Sequence, residues 1–90
     1  MPAAHPHPVF MPMKDQIRTI LANEGKLGDA AARLGDNDDL YLAGLTSFAS
    51  VQLMLALEDA FDIEFSEKML GRKTFQSIAN ICAAIEESKA

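Results

Sequence analysis

Two neighbouring hydroxyls, Thr46 and Ser47, follow Gly44-Leu45 and precede a proline-free apolar run to Phe61, and they are the side chains of this sequence most open to chemistry. A serine nucleophile needs a base in reach and a third group to orient that base. The histidines are His5 and His7, both in the proline-rich N-terminal stretch, so a hydrolytic serine is not expected. Nothing near those two histidines completes a ligand set, and no metal site is expected there. The run Asp36-Asn37-Asp38-Asp39 has the acidity of a calcium loop without its spacing. Counted from Asp36, Leu40 falls on a ligand position, Tyr41 where the tight-turn glycine belongs, and Ser47 in place of the closing glutamate. The run reads as a solvated loop. Cys82 lies in the middle of an apolar helical stripe and reads as a small core residue, not a reactive thiol.

What remains is a serine at the start of a helix. Ser and Thr oxygens accept hydrogen bonds from the orphan amides of a first helical turn, so Thr46-Ser47 reads first as an N-cap. The same place suits a phosphodiester, because the free amides and the positive end of the helix dipole stabilise an attached anion.

The elements that position this serine follow from the apolar pattern. Met13, Ile17, Ile20 and Leu21 recur at helical spacing and Gly25 supplies a stop, which predicts a first helix. Residues 25 to 44 are rich in Gly and Asp, with a short helical turn expected around Ala30 to Leu34, and form a long connection that Leu34, Leu40, Leu42 and Leu45 are expected to pin. The second main helix runs from Ser47 to about Ala60. Leu53, Met54, Leu57 and Phe61 gather on one side of it, and Phe48, Val51 and Leu55 on roughly the opposite side. An outer helix of a small bundle needs one apolar stripe, so the surplus one is either covered by the long loop or left as a docking surface. Ser66 to Leu70 predicts a short helical turn. The last helix is expected to begin near Thr74 as N-cap and to carry Phe75, Ile78, Ile81, Cys82 and Ile85 on one face. The fold class is all-α: a small antiparallel bundle of three main helices plus a short helical turn, with the long loop between helices 1 and 2.

Ninety residues form one small domain, too little for an enclosed substrate pocket on a catalytic scaffold, so the chain is not expected to be an enzyme. All four prolines lie in the first twelve residues, which read as a disordered tail ahead of a domain over 13–90; Met11 and Met13 leave open a later start site. One cysteine excludes a disulfide framework, and neither a membrane-length apolar run nor a secretion signal is present, so a cytoplasmic, soluble protein is expected. The net charge of -5 is uneven: between Arg33 and Lys68 there are eight carboxylates and no basic residue. Such a surface repels nucleic acid and attracts basic protein faces.

Leu42, Gly44, Thr46-Ser47-Phe48, Leu57-Glu58-Asp59-Ala60-Phe61 and Asp62-Ile63-Glu64 stand in the order and spacing of the acyl and peptidyl carrier proteins, and residues 13 to 87 resemble that family. The resemblance implies a 4'-phosphopantetheine arm on Ser47, attached by a phosphopantetheinyl transferase, and no catalytic residue in the chain itself. Two features depart from the common pattern. Thr46 replaces the usual Asp before the serine, and Ala49, Ser50 and Gln52 stand where fatty-acid carriers have carboxylates. The chain is therefore most similar to the stand-alone carriers charged by amino acid:[carrier protein] ligases. That likeness implies an aminoacyl or acyl thioester on the arm, a downstream acyl acceptor enzyme, a monomeric carrier, and partner recognition through Thr46, Phe48, Val51 and Leu55. The alternatives are a carrier for fatty-acyl or polyketide intermediates and an unmodified helical adaptor that uses the same apolar stripe.

Overall fold

Apolar residues at helical spacing account for every long element of the structure, a computed structural model that describes residues 12–89. The elements are α1 (Met13–Asn23), α2 (Ala30–Arg33), α3 (Ser47–Phe61) and α4 (Ile78–Lys89), with 3-10 turns at Glu67–Met69 and Arg72–Phe75 and no strand among the described residues. The tail expected over residues 1–12, including His5 and His7, lies outside the described residues except for Pro12.

Helix α1 starts directly after Pro12, whose carbonyl accepts from the amides of Asp15 at 3.0 Å and Gln16 at 3.1 Å. Ile17 and Leu21 form its buried stripe. Gly25 follows its end at a close approach, because a Cβ there would sit 2.8 Å from the Leu21 carbonyl oxygen. Helix α1 packs against α2, α3 and α4, so its stripe meets Leu53 and Leu57 of α3 and Ile78, Ile81 and Ile85 of α4 in one core. Phe65 and Phe75 close one part of that core edge-to-face, with ring centroids 5.7 Å apart.

The long connection is held at defined points. Leu40 and Leu45 are buried and Leu34 packs against the core, but Leu42, expected among the pins, is 87% exposed. The reason is local. The Leu40 amide donates to the Gln76 carbonyl at 2.7 Å and the Leu45 amide to the Leu40 carbonyl at 2.9 Å. The short turn between those two buried leucines therefore throws Leu42 outward.

The acidic run also differs from a merely solvated loop. Asn37 and Asp38 are exposed, but Asp36 bridges Lys14 and Arg18 of α1, each at 2.8 Å, and its backbone carbonyl accepts from the Ala79 amide of α4 at 2.9 Å. Asp39 accepts from the amides of Tyr41 at 2.9 Å and Leu42 at 3.2 Å and from the Gln76 side chain at 3.1 Å. These two carboxylates fasten the connection to both α1 and the start of α4.

The start of the last helix is corrected as well. Thr74 lies inside the 3-10 turn that tucks Phe75 into the core, and the cap is Ser77, a buried residue whose hydroxyl accepts from the Asn80 amide at 3.0 Å. Cys82 is partly buried against the core beside Met13, with Sγ and Sδ 3.4 Å apart, and burial raises its thiol pKa.

Candidate functional site

Gly44 is the pivot that delivers the two hydroxyls to the surface. Its φ of +121° is closed to L side chains, and between the buried Leu40 and Leu45 it turns the chain sharply into α3. Thr46 then takes an extended backbone (φ −87°, ψ 164°), and its Oγ1 accepts from the Ala49 amide at 3.0 Å. Thr46 is thus the N-cap, and Ser47 is the first helical residue. The Ser47 side chain is exposed and makes no hydrogen bond to another described residue; its carbonyl accepts from the Ser50 hydroxyl at 2.7 Å. The cap and the free hydroxyl fall on two different residues.

The amides of the first turn of α3 have no intrahelical acceptors, so the Ser47 hydroxyl stands at the positive end of a 15-residue helix. No histidine lies among the described residues, and neither base nor orienting group for a serine nucleophile is beside it.

Beside Ser47 opens a groove of ≈ 290 Å³. Ser47, Ser50, Val51 and Met54 of α3 form one wall, and Leu70, Gly71, Arg72 and Phe75 form the other, with Tyr41 of the connection at one end. The Arg72 guanidinium stacks on the Tyr41 ring, 3.8 Å from its centroid. Among the expected site residues, Ser47 and Val51 line this groove. Phe48, Val51 and Leu55 are 70%, 51% and 53% exposed, so the long loop leaves the surplus stripe of α3 accessible.

Tyr41, Leu70 and Arg72 were not legible as groove residues, nor Leu42 as an exposed one. Tyr41 and Arg72 meet only through the tertiary fold. Leu42 carried one available signal, a third apolar residue between Leu40 and Leu45 in a turn with room to bury only its ends. Charge had a signal too: Arg72 closely follows the base-free stretch that ends at Lys68.

The small all-α bundle with an exposed serine opening its longest helix has the architecture of the carrier proteins. The phosphopantetheine attachment site family matches residues 15–85, and the chain belongs to that family, whose members hold a covalently attached 4'-phosphopantetheine. The chain is 55% identical over 69 residues to the aminoacyl carrier protein of Agrobacterium fabrum (strain C58 / ATCC 33970), an alignment spanning 77% of this chain and 83% of that protein. It also matches a crystal structure of an engineered Bradyrhizobium japonicum glycine:[carrier protein] ligase complexed with carrier protein from Agrobacterium tumefaciens and AMP, at 51% identity and a TM-score of 0.78, covering 82% of this chain and 99% of that one. A solution structure of an Agrobacterium tumefaciens protein matches at 51% identity and a TM-score of 0.67, over 83% of this chain and 90% of that one.

Proposed function

We propose that this chain is an aminoacyl carrier protein whose 4'-phosphopantetheine is attached to Ser47. The carrying observation is the division of labour at the start of α3: Thr46 satisfies the helix end, which leaves the Ser47 hydroxyl exposed and free of internal hydrogen bonds. The residues present fit the arm. Its phosphodiester would lie by the first-turn amides of α3, and the groove beside Ser47 is open to its chain. When bound, the arm supplies a thiol that holds an acyl group as a thioester. The chain's own residues position and orient it: Gly44 sets the turn, Leu40 and Leu45 anchor it, and Thr46 fixes the helix end. Attachment would form a bond from the Ser47 oxygen to the arm's phosphorus and break the pyrophosphate bond of coenzyme A, adenosine 3',5'-bisphosphate leaving; since no base stands beside Ser47 among the described residues, the transferase would take the Ser47 proton.

The names of the relatives support an amino acid as cargo and an amino acid:[carrier protein] ligase as the loading enzyme. In this reading the ligase docks on Phe48, Val51 and Leu55 beside Thr46, and a downstream acceptor enzyme removes the aminoacyl group. Buried apolar anchors dominate interface energies, and α3 offers no charge from Ser47 through Leu57. We take the carrier to be a cytoplasmic monomer with a domain over 13–90; among the described residues no helix is long and apolar enough to cross a membrane. The exposed stripe would equally serve an unmodified adaptor, and intact mass separates the two. Incubation with a phosphopantetheinyl transferase and coenzyme A is expected to add one arm to the wild type and none to Ser47→Ala. An unmodified wild type, or a Ser47→Ala chain that still gains the arm, contradicts the proposal.

A further inference from the structure

The groove beside Ser47 holds a cation for which neither the fold nor carrier action as described above accounts. Between Arg33 and Lys68 the chain has eight carboxylates and no base, and among the residues lining the groove Arg72 alone is charged. Arg72 is exposed and makes no ion pair with a described residue. The nearby carboxylate of Asp39, whose pKa its charge helps to lower, spends its oxygens on the amides of Tyr41 and Leu42 and on Gln76. The guanidinium instead sits over the Tyr41 ring, with its Cζ 3.8 Å from the ring centroid. Stacking of this kind restrains the side chain and leaves the N–H donors at its edge available, in the fork geometry that matches phosphate oxygens.

We propose that Arg72 receives the phosphodiester of the arm carried on Ser47 and so lays the first part of that arm into the groove against Val51, Met54 and Leu70. This rests on Ser47 being the attachment site. The occupant is selected by two facts. Ser47 is itself part of the groove lining, so a group bound to its oxygen enters at a high effective concentration that no free ligand matches. The charges are also complementary, an anionic phosphodiester against the one charged side chain of the groove lining. Leu70 and Val51 are exposed, and apolar atoms laid over them would leave water. The arm then has a resting position on its own carrier, from which a partner enzyme must lift it.

The test uses full-length protein, loaded by a transferase with coenzyme A and verified by intact mass, in apo and loaded forms of wild type, Arg72→Glu, Arg72→Gln and Arg72→Lys. The amide spectrum of each apo form reports folding independently of the arm. In wild type, loading is expected to shift amides across Leu70 to Phe75 and to give nuclear Overhauser contacts from the arm's methyl groups to Val51 and Leu70. Arg72→Glu and Arg72→Gln should load yet lose both signals and shift the phosphorus resonance, and Arg72→Lys should keep them in part. Loaded wild type with changes confined to the neighbours of Ser47, or Arg72→Glu and Arg72→Gln indistinguishable from wild type, would overturn the role of Arg72 while leaving attachment intact. A wild-type chain that takes up no arm overturns the attachment reading and this one with it.

Discussion

Thr46 and Ser47 are chemically alike and adjacent, yet the fold gives them different tasks. Replacing Thr46 by Ala removes the bond to the Ala49 amide and should lower stability by about 0.5–2 kcal/mol, read by urea denaturation. Replacing Ser47 by Ala leaves that cap in place and should cost well under about 1 kcal/mol. Equal losses for the two variants would mean that the cap is shared. Titration provides a second prediction at this scale. Hydrogen bonds from Lys14 and Arg18 hold the Asp36 carboxyl below its usual range, and bonds from Gln76 and the amides of Leu42 and Tyr41 do the same for Asp39. A depressed carboxylate pKa means that the unfolded chain binds more protons. The stability these groups contribute is thus present above the ordinary carboxylate pKa of about 3.9 and is lost as pH falls below it toward their folded values. Lys14 has the opposite sign: its pKa is raised by the hydrogen bond it donates to the Asp36 carboxylate, so its contribution is present below about 10.4 and is lost as pH rises through its higher folded value. Melting temperature across pH should therefore drop less steeply on the acid side in Asp36→Asn than in wild type. An unchanged acid slope would count against the bridge.

At the scale of elements, the stripe proposed for docking runs along the first three turns of α3, and the helix is stopped at its far end by a residue in the left-handed region. Asp62 adopts the left-handed region (φ 55°, ψ 51°), and the Glu58 carboxylate accepts from the Phe65 amide at 2.9 Å, folding the chain back. Glu58 and Asp59 already crowd the negative end of the helix dipole with no basic residue in the last turn. Asp62→Asn keeps a side chain that tolerates the left-handed region and removes one of these charges. It should stabilise the protein by about 0.3–1 kcal/mol at low salt, measured by thermal unfolding; destabilisation would mean that the carboxylate has a structural partner. On the exposed stripe, Val51→Asp or Leu55→Asp should slow loading by the ligase at least tenfold, about 1.4 kcal/mol. Kinetics that tolerate both changes but collapse at moderate salt would show that the partner reads the acidic flank instead.

Across the whole molecule, legibility in the sequence followed the range of the interactions. The stripes of α1, α3 and α4 were visible because Ile17 and Leu21, Leu53 and Leu57, and Ile81 and Ile85 recur within single helices, and a helical period alone assigns them inward. The place of Ser47 at the start of α3 was visible for the same local reason, between a glycine turn and an apolar helix, but its proposed role came from the family resemblance, and local pattern did not tell which of Thr46 and Ser47 is the cap. Leu42 was misread because apolar type does not give direction in a loop without periodicity. Thr74 was misread as a cap because the 3-10 turn that moves the cap to Ser77 is set by burial of Phe75 against Phe65. The bridges of Asp36 span 22 and 18 residues, and the Tyr41–Arg72 stack joins two loops; neither has a local signature. Small domains of this kind have little stability to lose. Leu53→Ala, at a fully buried site shared by α1 and α3, should cost about 2–5 kcal/mol and show as a sharply lowered urea midpoint; a loss below about 1 kcal/mol would be out of line with a core residue.

The central claim, a carrier loaded through one arm on Ser47, is tested most directly by a two-step intact-mass ladder on the full chain. Wild type should gain one arm with transferase and coenzyme A, then one amino acid with an amino acid:[carrier protein] ligase, ATP and glycine, the second increment alone being removed by hydroxylamine as a thioester is. Ser47→Ala should gain neither. A second increment that appears without the first, or either increment surviving in Ser47→Ala, would contradict the account.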